Sequence, residues 1–229
     1  MKSVVLVCGH GPGISDAVAR KFGKARHSVA LVARNAARVT AAAAALAQDG
    51  IDAKGFACDL ADPGAIERLV ADVRRELGPI AVVHFNAYAG TGVDLLSASP
   101  AELRGIFDLS VVGLVTVVRA ARADLEAAKG AVLVTGGGFC FYEPNIDAAA
   151  TKHGAAGLAL GKAAQHKTVG LLAAKLKGSG VYVGEIVVTG TVKGTAFDQQ
   201  GGGTIEPSAI ADKFYELAKQ RTELSVTFG

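Results

Sequence analysis

The sequence predicts a single α/β domain over residues 1–229, built as one doubly wound parallel sheet with helices on both faces. Short apolar runs alternate with longer segments of helical spacing from one end of the chain to the other. The runs are apolar throughout, as in parallel strands that are buried on both faces. Parallel neighbours need crossover connections, which the intervening helical segments supply. A chain of 229 residues is long enough for one large domain of this class.

In the first half of the chain, four short apolar runs are predicted strands. They cover Val4–Cys8, Val29–Ala33, Ala53–Cys58 and Ile80–Phe85. The segments between them have helical spacing of apolar residues or high helix propensity. The predicted helices cover 14–22, 35–47 and 66–77, and Asp62-Pro63 is a start signal for the last of them.

The second half repeats this alternation with longer helices. A long helical segment runs from about Pro100 to Ala128, and another covers roughly Gly157 to Lys177. A third helix is predicted over 208–219. The predicted strands are Ala131–Thr135, Val181–Val188 and a last strand from the alternation at 224, 226 and 228.

Composition excludes several classes of protein. The 24 Lys and Arg residues are scattered and the net charge is only +3, whereas a nucleic-acid surface requires a basic stripe. No apolar stretch reaches the length of a membrane span, and the run after Ser3 is too short for a signal peptide. Cys8, Cys58 and Cys140 lack metal-ligand spacing, and the first two lie in apolar runs. We therefore expect a cytoplasmic protein in a reducing compartment, without a metal, membrane or nucleic-acid partner.

A glycine-rich loop joins the first predicted strand to the first predicted helix. It reads Cys8-Gly9-His10-Gly11-Pro12-Gly13-Ile14-Ser15. Glycine tolerates the positive φ that such a tight turn needs, and the free N–H groups at the following helix start attract phosphate. The loop therefore predicts an anion site. Its spacing differs from G-x-G-x-x-G, because Ile14 takes the place of the third glycine.

The loop resembles the T-G-x-x-x-G-x-G motif of the short-chain dehydrogenase/reductase family. Gly9 and Gly13 match its first two glycines, Cys8 stands for the threonine and Ser15 for the last glycine. The resemblance covers nearly the whole chain. It implies a Rossmann-type fold, a nicotinamide dinucleotide as cofactor and oxidoreductase activity.

The end of the second predicted strand indicates which dinucleotide is bound. Sheets that bind NAD place an acid there, which accepts a hydrogen bond from the ribose 2′-hydroxyl. Here the strand ends Leu31-Val32-Ala33-Arg34-Asn35, without an acid. Arg34 is suited to pair with a 2′-phosphate, and Arg38 follows one helical turn later. These residues predict NADP(H).

Further motifs of the family follow other predicted strands. Asp59-Leu60 matches an aspartate and apolar pair that meets the adenine, and Asn86-Ala87-Tyr88 resembles the end of N-N-A-G. Thr189-Gly190-Thr191-Val192 resembles P-G-x-[IV], and Thr195 lies within reach of a phosphate. The predicted cofactor-binding residues are Gly9, Gly11, Gly13, Ile14, Arg34, Asp59, Leu60, Asn86, Ala87, Lys162, Val192 and Thr195.

The catalytic motif is where the sequence departs from the family. The family uses Ser, Tyr and Lys, helped by an Asn, and the lysine lowers the pKa of the tyrosine. Ser110 occupies the Asn position, and Thr135 precedes three glycines where serines are expected. Thr135 is the residue that could replace the serine hydroxyl. The candidate catalytic residues are Lys162, Thr135, Ser110 and Tyr142.

Two registers are open for the Y-x-x-x-K motif. One places its lysine at Lys152 with Ala148 for the tyrosine, and the other places it at Lys162 with Leu158. The second is preferred because the helix then continues to the sixth strand without a gap. Neither has a phenol. Candidate substitute acids are Tyr142, Tyr88 and His153, and Lys162 is also expected to bind the nicotinamide ribose.

The leading hypothesis is an NADP(H)-dependent oxidoreductase of atypical site that transfers hydride to or from a small carbonyl-like substrate. The alternative is a non-catalytic NADP(H)-binding sensor or regulatory protein, and an enzyme such as a lyase on the same fold is a weaker third reading. Gln199–Gly203 reads as a flexible loop over the cofactor site. By resemblance, the helices at 100–128 and 157–177 are expected to pair copies into a homodimer or homotetramer.

Overall fold

A computed structural model describes residues 3–229. The chain forms one seven-stranded sheet with the order β3-β2-β1-β4-β5-β6-β7, and every pair of neighbours is parallel. The predicted doubly wound sheet is confirmed. The strands are β1 (Val4–Cys8), β2 (Ser28–Ala33), β3 (Ala53–Ala57), β4 (Ile80–Phe85), β5 (Ala131–Gly137), β6 (Tyr182–Val188) and β7 (Ser225–Phe228).

Helices connect successive strands and cover both faces of this sheet. They are α1 (Ile14–Lys24), α2 (Ala36–Gln48), α3 (Pro63–Glu76), α4 (Pro100–Phe107), α5 (Leu114–Ala128), α6 (Pro144–Lys152), α7 (Ala156–Leu176) and α8 (Pro207–Gln220). Within residues 3–229, no helix is both long and apolar enough to span a membrane.

Two apolar cores lie on opposite sides of the sheet. One packs strand residues such as Val134 against α3, α5 and α7, and we call this side the α7 face. The other packs residues such as Leu133 against α1, α2 and α8, and we call this side the α8 face. Because successive side chains of a strand alternate between faces, the cores use alternate residues of the same strands.

The prediction of one continuous α-helix over 100–128 is wrong. A π-helical segment, Asp108–Gly113, separates α4 from α5. Gly113 lies against the carbonyl of Leu60, where a Cβ atom would clash, so the backbone comes unusually close to the end of β3 here. π-Helical segments insert an extra residue and often mark functional sites. Apolar periodicity alone does not reveal such an insertion.

Helix α6 is absent from the sequence prediction. It begins at Pro144 and ends at Lys152, and of its nine residues only Ala150 is buried. A helix with one buried residue has no apolar stripe, so periodicity gives no signal for it.

The order of the strands reverses between β1 and β4. In open α/β sheets, ligands bind in the crevice outside the carboxyl ends of the strands at such a point. The glycine loop follows β1 and Asn86 follows β4, and the Asn86 N–H donates to the Cys8 carbonyl at 2.9 Å. The fold therefore brings the predicted cofactor motifs together at one edge.

Candidate active site

Two glycines of the loop after β1 have conformations and surroundings that exclude a side chain. Gly9 has φ +83° and Gly13 has φ +92°. A Cβ atom at Gly9 would lie 2.6 Å from the backbone nitrogen of Ala87, and one at Gly13 would lie 2.5 Å from Cγ2 of Thr195. The loops that follow β1, β4 and β6 are therefore in close contact here, and the lack of a side chain at Gly9 and Gly13 permits this contact.

The glycine loop leads directly into the N-terminus of α1. Gly13 is the N-cap and gives no side-chain hydrogen bond to the helix, so no capping side chain covers the first-turn N–H groups. The Ser15 hydroxyl turns back onto the loop, where it accepts from Gly11 N at 3.0 Å and lies 3.1 Å from Gly11 O. The loop is thus held in shape with a helix N-terminus available for an anion.

Two arginines lie next to this predicted anion site. Arg34 follows β2 directly and is exposed. Asn35 caps α2 by accepting from the Arg38 N–H at 2.9 Å. The guanidinium of Arg38 then reaches the His10 carbonyl in the glycine loop at 3.4 Å. No carboxylate occupies the end of β2, so the local charge suits a phosphate rather than a ribose diol.

The other predicted cofactor residues lie at neighbouring strand ends. Asp59 is exposed, and its carboxylate accepts from the Ala61 N–H at 3.0 Å. Leu60, Ala87 and Val192 are buried, with Ala87 directly against Gly9. The Thr195 hydroxyl donates to the Val192 carbonyl at 2.8 Å, so this hydroxyl is engaged within its own loop.

Lys162 is a buried cation at the centre of a polar network. Its Nζ donates to the Thr135 carbonyl at 2.6 Å and to Oε1 of Gln165 at 2.9 Å. The Gln165 amide donates in turn to the Ser110 carbonyl at 3.3 Å, within the π-helical segment. The network ties the end of β5 to α7 and to that segment. The Lys162 network begins at the residue after Val134, which is the last residue of β5 that pairs with β4.

Burial sets the protonation behaviour of this network. Desolvation lowers the pKa of Lys162 to about 8, although the nearby charge of Glu185 opposes the fall. Burial, together with the charge of Lys162, lowers the pKa of His84 to about 3. Near neutral pH, Lys162 therefore exchanges its proton readily and His84 is neutral.

The Thr135 side chain lies on the α8 face of the sheet. Its hydroxyl lies 3.1 Å from Nε2 of His84, and the His84 ring packs edge-on against Phe214 of α8. The hydroxyl therefore points into the α8 face, while Lys162 reaches the Thr135 carbonyl from α7. Alternation along β5 places the following residue, Gly136, on the α7 face instead. In the network Thr135 contributes its carbonyl, and a catalytic role of its hydroxyl stays a prediction.

The two lysines offered by the alternative registers of the Y-x-x-x-K motif lie in different environments. Lys162 is 8% exposed, whereas Lys152 at the end of α6 is exposed. Leu158, one turn before Lys162, is itself buried. Ser110 is buried, and its Oγ lies 2.8 Å from where a Cβ atom of Gly161 would be.

The candidate substitute acids lie outside this network. Tyr142 is 96% exposed and His153 is exposed. Tyr88 packs its ring against Phe197 with centroids 5.5 Å apart, and burial raises its pKa. Tyr142, a candidate catalytic residue, has no hydrogen bond to Lys162 in the described part of the chain.

Several polar residues of the site were missed from the sequence. Gln165 follows Lys162 by three residues, which places both on one side of a helix. Glu185 is an acid in the middle of the apolar strand β6, and His84 has a similar position in β4. Charged and polar residues inside buried strands are rare, and that rarity is the available signal.

The burial of Lys162 predicts a specific pH dependence of stability. Below about pH 8 the lysine is protonated in both states, and between pH 8 and the ordinary lysine pKa of 10.5 only the unfolded chain keeps the proton. The free energy of unfolding should therefore rise with pH across this window, by up to about 3 kcal/mol relative to Lys162→Met. Urea unfolding of both proteins from pH 7 to 10.5 measures the difference.

The exposed Lys152 provides the control for this measurement. Lys152→Met should show the same pH profile as the wild type, because Lys152 is exposed in the folded chain. A constant difference between wild type and Lys162→Met across the window would contradict the lowered pKa.

Comparison with known proteins agrees with this geometry. A family model described as short chain dehydrogenase matches residues 3–200. A putative ketoacyl reductase of Streptomyces coelicolor is 32% identical over 169 residues, which are 73% of this chain and 61% of the relative. Human 17-beta-hydroxysteroid dehydrogenase 13 is 26% identical over 140 residues, 61% of this chain and 47% of the relative. The chain thus spans about half of the length of such relatives.

Solved structures share the fold over nearly the full chain. A metagenomic short-chain oxidoreductase in complex with NADP has a TM-score of 0.81 and 25% identity, with 99% of this chain and 96% of that chain covered. L-sorbose reductase from Gluconobacter frateurii, complexed with NADPH and L-sorbose, has a TM-score of 0.82 and 21% identity, with 99% and 95% covered.

Proposed function

Because the chain belongs to the short-chain dehydrogenase family, we propose that it is an NADP(H)-dependent oxidoreductase. It transfers a hydride to or from a small carbonyl-like substrate at an atypical site. The observation that carries this proposal is the buried ammonium of Lys162, held at the end of β5 by two hydrogen bonds. Burying a cation costs folding free energy even when it is hydrogen-bonded, and buried cations of this kind are concentrated at functional sites.

The residues around the crevice fit NADP(H). The glycine loop and the N-terminus of α1 suit the pyrophosphate, because glycine lets the backbone approach and no side chain caps the helix. Arg34 is exposed beside this loop and suits the 2′-phosphate, with Arg38 next to it. Bound NADP(H) supplies or accepts the hydride.

Lys162 is the group that handles the proton in this proposal. An ammonium has three N–H donors, and the Thr135 carbonyl and Gln165 take two of them. The third is free to donate to a ribose or substrate oxygen. With its pKa near 8, Lys162 both holds a proton and releases it close to neutral pH. Leu158 offers no hydroxyl one turn away, so the ammonium acts without a phenol.

Parallel titrations with NADPH and NADH test the proposal. The chain has no tryptophan, so the signal is the fluorescence of the nicotinamide or the heat of binding. We expect micromolar affinity for NADPH, much weaker binding of NADH, and NADPH consumption with at least one aldehyde, ketone, quinone or imine. If neither NADPH nor NADH binds, both NADP(H)-dependent functions proposed for the chain are ruled out.

The burial of Leu158 and the engagement of the Thr135 hydroxyl favour a second candidate, a non-catalytic NADP(H)-binding sensor. Such a protein binds NADPH tightly without turnover, and its association with a partner protein changes with NADPH. Pull-downs with and without NADPH distinguish the two functions. Turnover of any substrate in the panel excludes the non-catalytic sensor. Binding of the partner protein to the same extent with and without NADPH would also argue against the sensor.

Arg34 should determine the choice of nucleotide. Replacing Arg34 by alanine removes the cation suited to the 2′-phosphate, so NADPH affinity should fall about 10- to 100-fold, while NADH affinity changes little. Titration of both nucleotides measures the ratio. Arg75→Ala is the control, because Arg75 is an exposed arginine on α3 that pairs with Asp72. An unchanged NADPH-to-NADH ratio in Arg34→Ala would refute this assignment.

A further inference from the structure

Glu185 is a buried acid that the proposed chemistry does not use. It lies in β6 and is 0% exposed. Its Oε2 accepts from Nδ1 of His166 at 2.5 Å and from the Ser225 hydroxyl at 3.1 Å. Its Oε1 is buried and has no hydrogen-bond partner among the residues that the structure describes. A carboxylate in this state is costly unless a nearby charge compensates it.

The unpaired oxygen occupies the space of an absent side chain. A Cβ atom at Gly136 would lie 2.7 Å from Oε1 and 3.0 Å from Cδ of Glu185. Gly136 is one of the glycines where the family has serines, and it follows Thr135, whose carbonyl holds Lys162. The carboxyl group therefore extends beneath the end of β5, next to the Lys162 network.

Four side chains interact with this carboxyl group. His166 of α7 and Ser225 of β7 donate hydrogen bonds to it. Lys162, one turn before His166, and Cys140, in the 3₁₀ turn Gly138–Cys140 after β5, feel its charge. Of these, Lys162 is a buried cation, and the charge of Glu185 favours its protonated form. Burial raises the pKa of the Cys140 thiol to about 11, so Cys140 is neutral near pH 7.

His166 links the buried carboxylate to the surface. Its side chain is 38% exposed. A cavity of about 210 Å³ is lined by His166, Glu185 and Ser225 together with Leu224 and three further residues of α7, Lys167, Val169 and Gly170. The imidazole of His166 therefore lies between solvent and the buried carboxylate.

We propose that Glu185 is a positioning residue for Lys162. Its buried carboxylate fills the space left by the glycine at position 136 and is connected to solvent through His166, and its charge keeps the Lys162 ammonium protonated at the end of β5. Glu185 would thus supply the counter-charge of Lys162 in the proposed oxidoreductase site, and its importance for catalysis rests on that proposed function. The effect of Glu185 on the pKa of Lys162 can be measured without turnover, so this inference and the proposed function can be refuted separately.

Titration of Lys162 by NMR tests this role directly. The ¹³Cε signals of lysine are followed from pH 6 to 11 in the full-length protein, and Lys162→Met identifies the signal of Lys162. In Glu185→Gln the pKa of Lys162 should fall by about one unit or more below its wild-type value, because the compensating charge is removed. Glu185→Asp keeps the charge and should return the pKa toward the wild-type value.

Glu67→Gln is the matched control, since Glu67 is an exposed acid that pairs with Arg119 on the surface. A change in the Lys162 pKa of less than about 0.3 units in Glu185→Gln would overturn the proposal. If Glu185→Gln does not fold, the ¹³Cδ signal of Glu185 in the wild type decides the question. An ionised carboxylate at pH 7 supports the role, and a protonated one overturns it.

Discussion

Replacing Lys162 by methionine is expected to lower turnover about 100-fold or more, while the protein stays folded. The ammonium is the proposed proton donor, and Leu158 offers no hydroxyl that could take over. Methionine has a similar length and no charge, so it removes the proton without leaving a large cavity. The measurement is kcat and KM for a substrate found in the NADPH-consumption panel, together with NADPH affinity.

Lys152→Met separates this effect from a general loss of charge. Lys152 is exposed at the end of α6, and its replacement should leave kcat and KM unchanged. Similar turnover in Lys162→Met and wild type would show that the proton comes from another group. Equal loss in both variants would show that the change acts through the surface charge or through folding.

Replacing Gly9 by alanine is expected to lower the free energy of unfolding by about 2–4 kcal/mol and to weaken NADPH binding at least about 10-fold. The left-handed conformation of Gly9, at φ +83°, disfavours any side chain. The added Cβ atom would lie within 2.9 Å of three atoms of Ala87, two of them backbone. Relief of this overlap must separate the ends of β1 and β4, where the cofactor motifs meet. Urea unfolding and NADPH titration measure both effects.

Gly11→Ala is the matched control in the same loop. A Cβ atom at Gly11 meets nothing within 4 Å, and Gly11 does not have a positive φ. Its stability should therefore stay within about 0.5 kcal/mol of the wild type. If Gly9→Ala were as stable as Gly11→Ala, the close contact between the two strand ends would not exist in solution.

The strands, and the edge of the sheet at which the predicted cofactor motifs meet, were predictable from the sequence because each depends on local pattern. The runs Val4–Cys8 and Ile80–Phe85 were predicted with the bounds that the structure shows. Counting back from β6 also placed Lys162 on α7, where the structure buries it, since a helix keeps constant rise per residue. Such features need only periodicity, glycines and chain length.

The polar network could not be predicted in this way because it depends on which face each side chain takes. Thr135 and Gly136 are neighbours in β5, yet one contacts His84 on the α8 face and the other adjoins Glu185 on the α7 face. The sequence prediction ended β5 at Thr135, two residues early, and so did not resolve these directions. The pairing of Glu185 with His166 joins two residues that are 19 positions apart in the chain, which no local pattern encodes.

The close fit between Gly136 and Glu185 also constrains how this chain can change through evolution. A serine introduced at position 136 would meet a carboxyl group that can move only by losing its hydrogen bonds from His166 and Ser225. We therefore expect a side chain at position 136 to be tolerated only together with a smaller residue at position 185, so the two positions constrain each other.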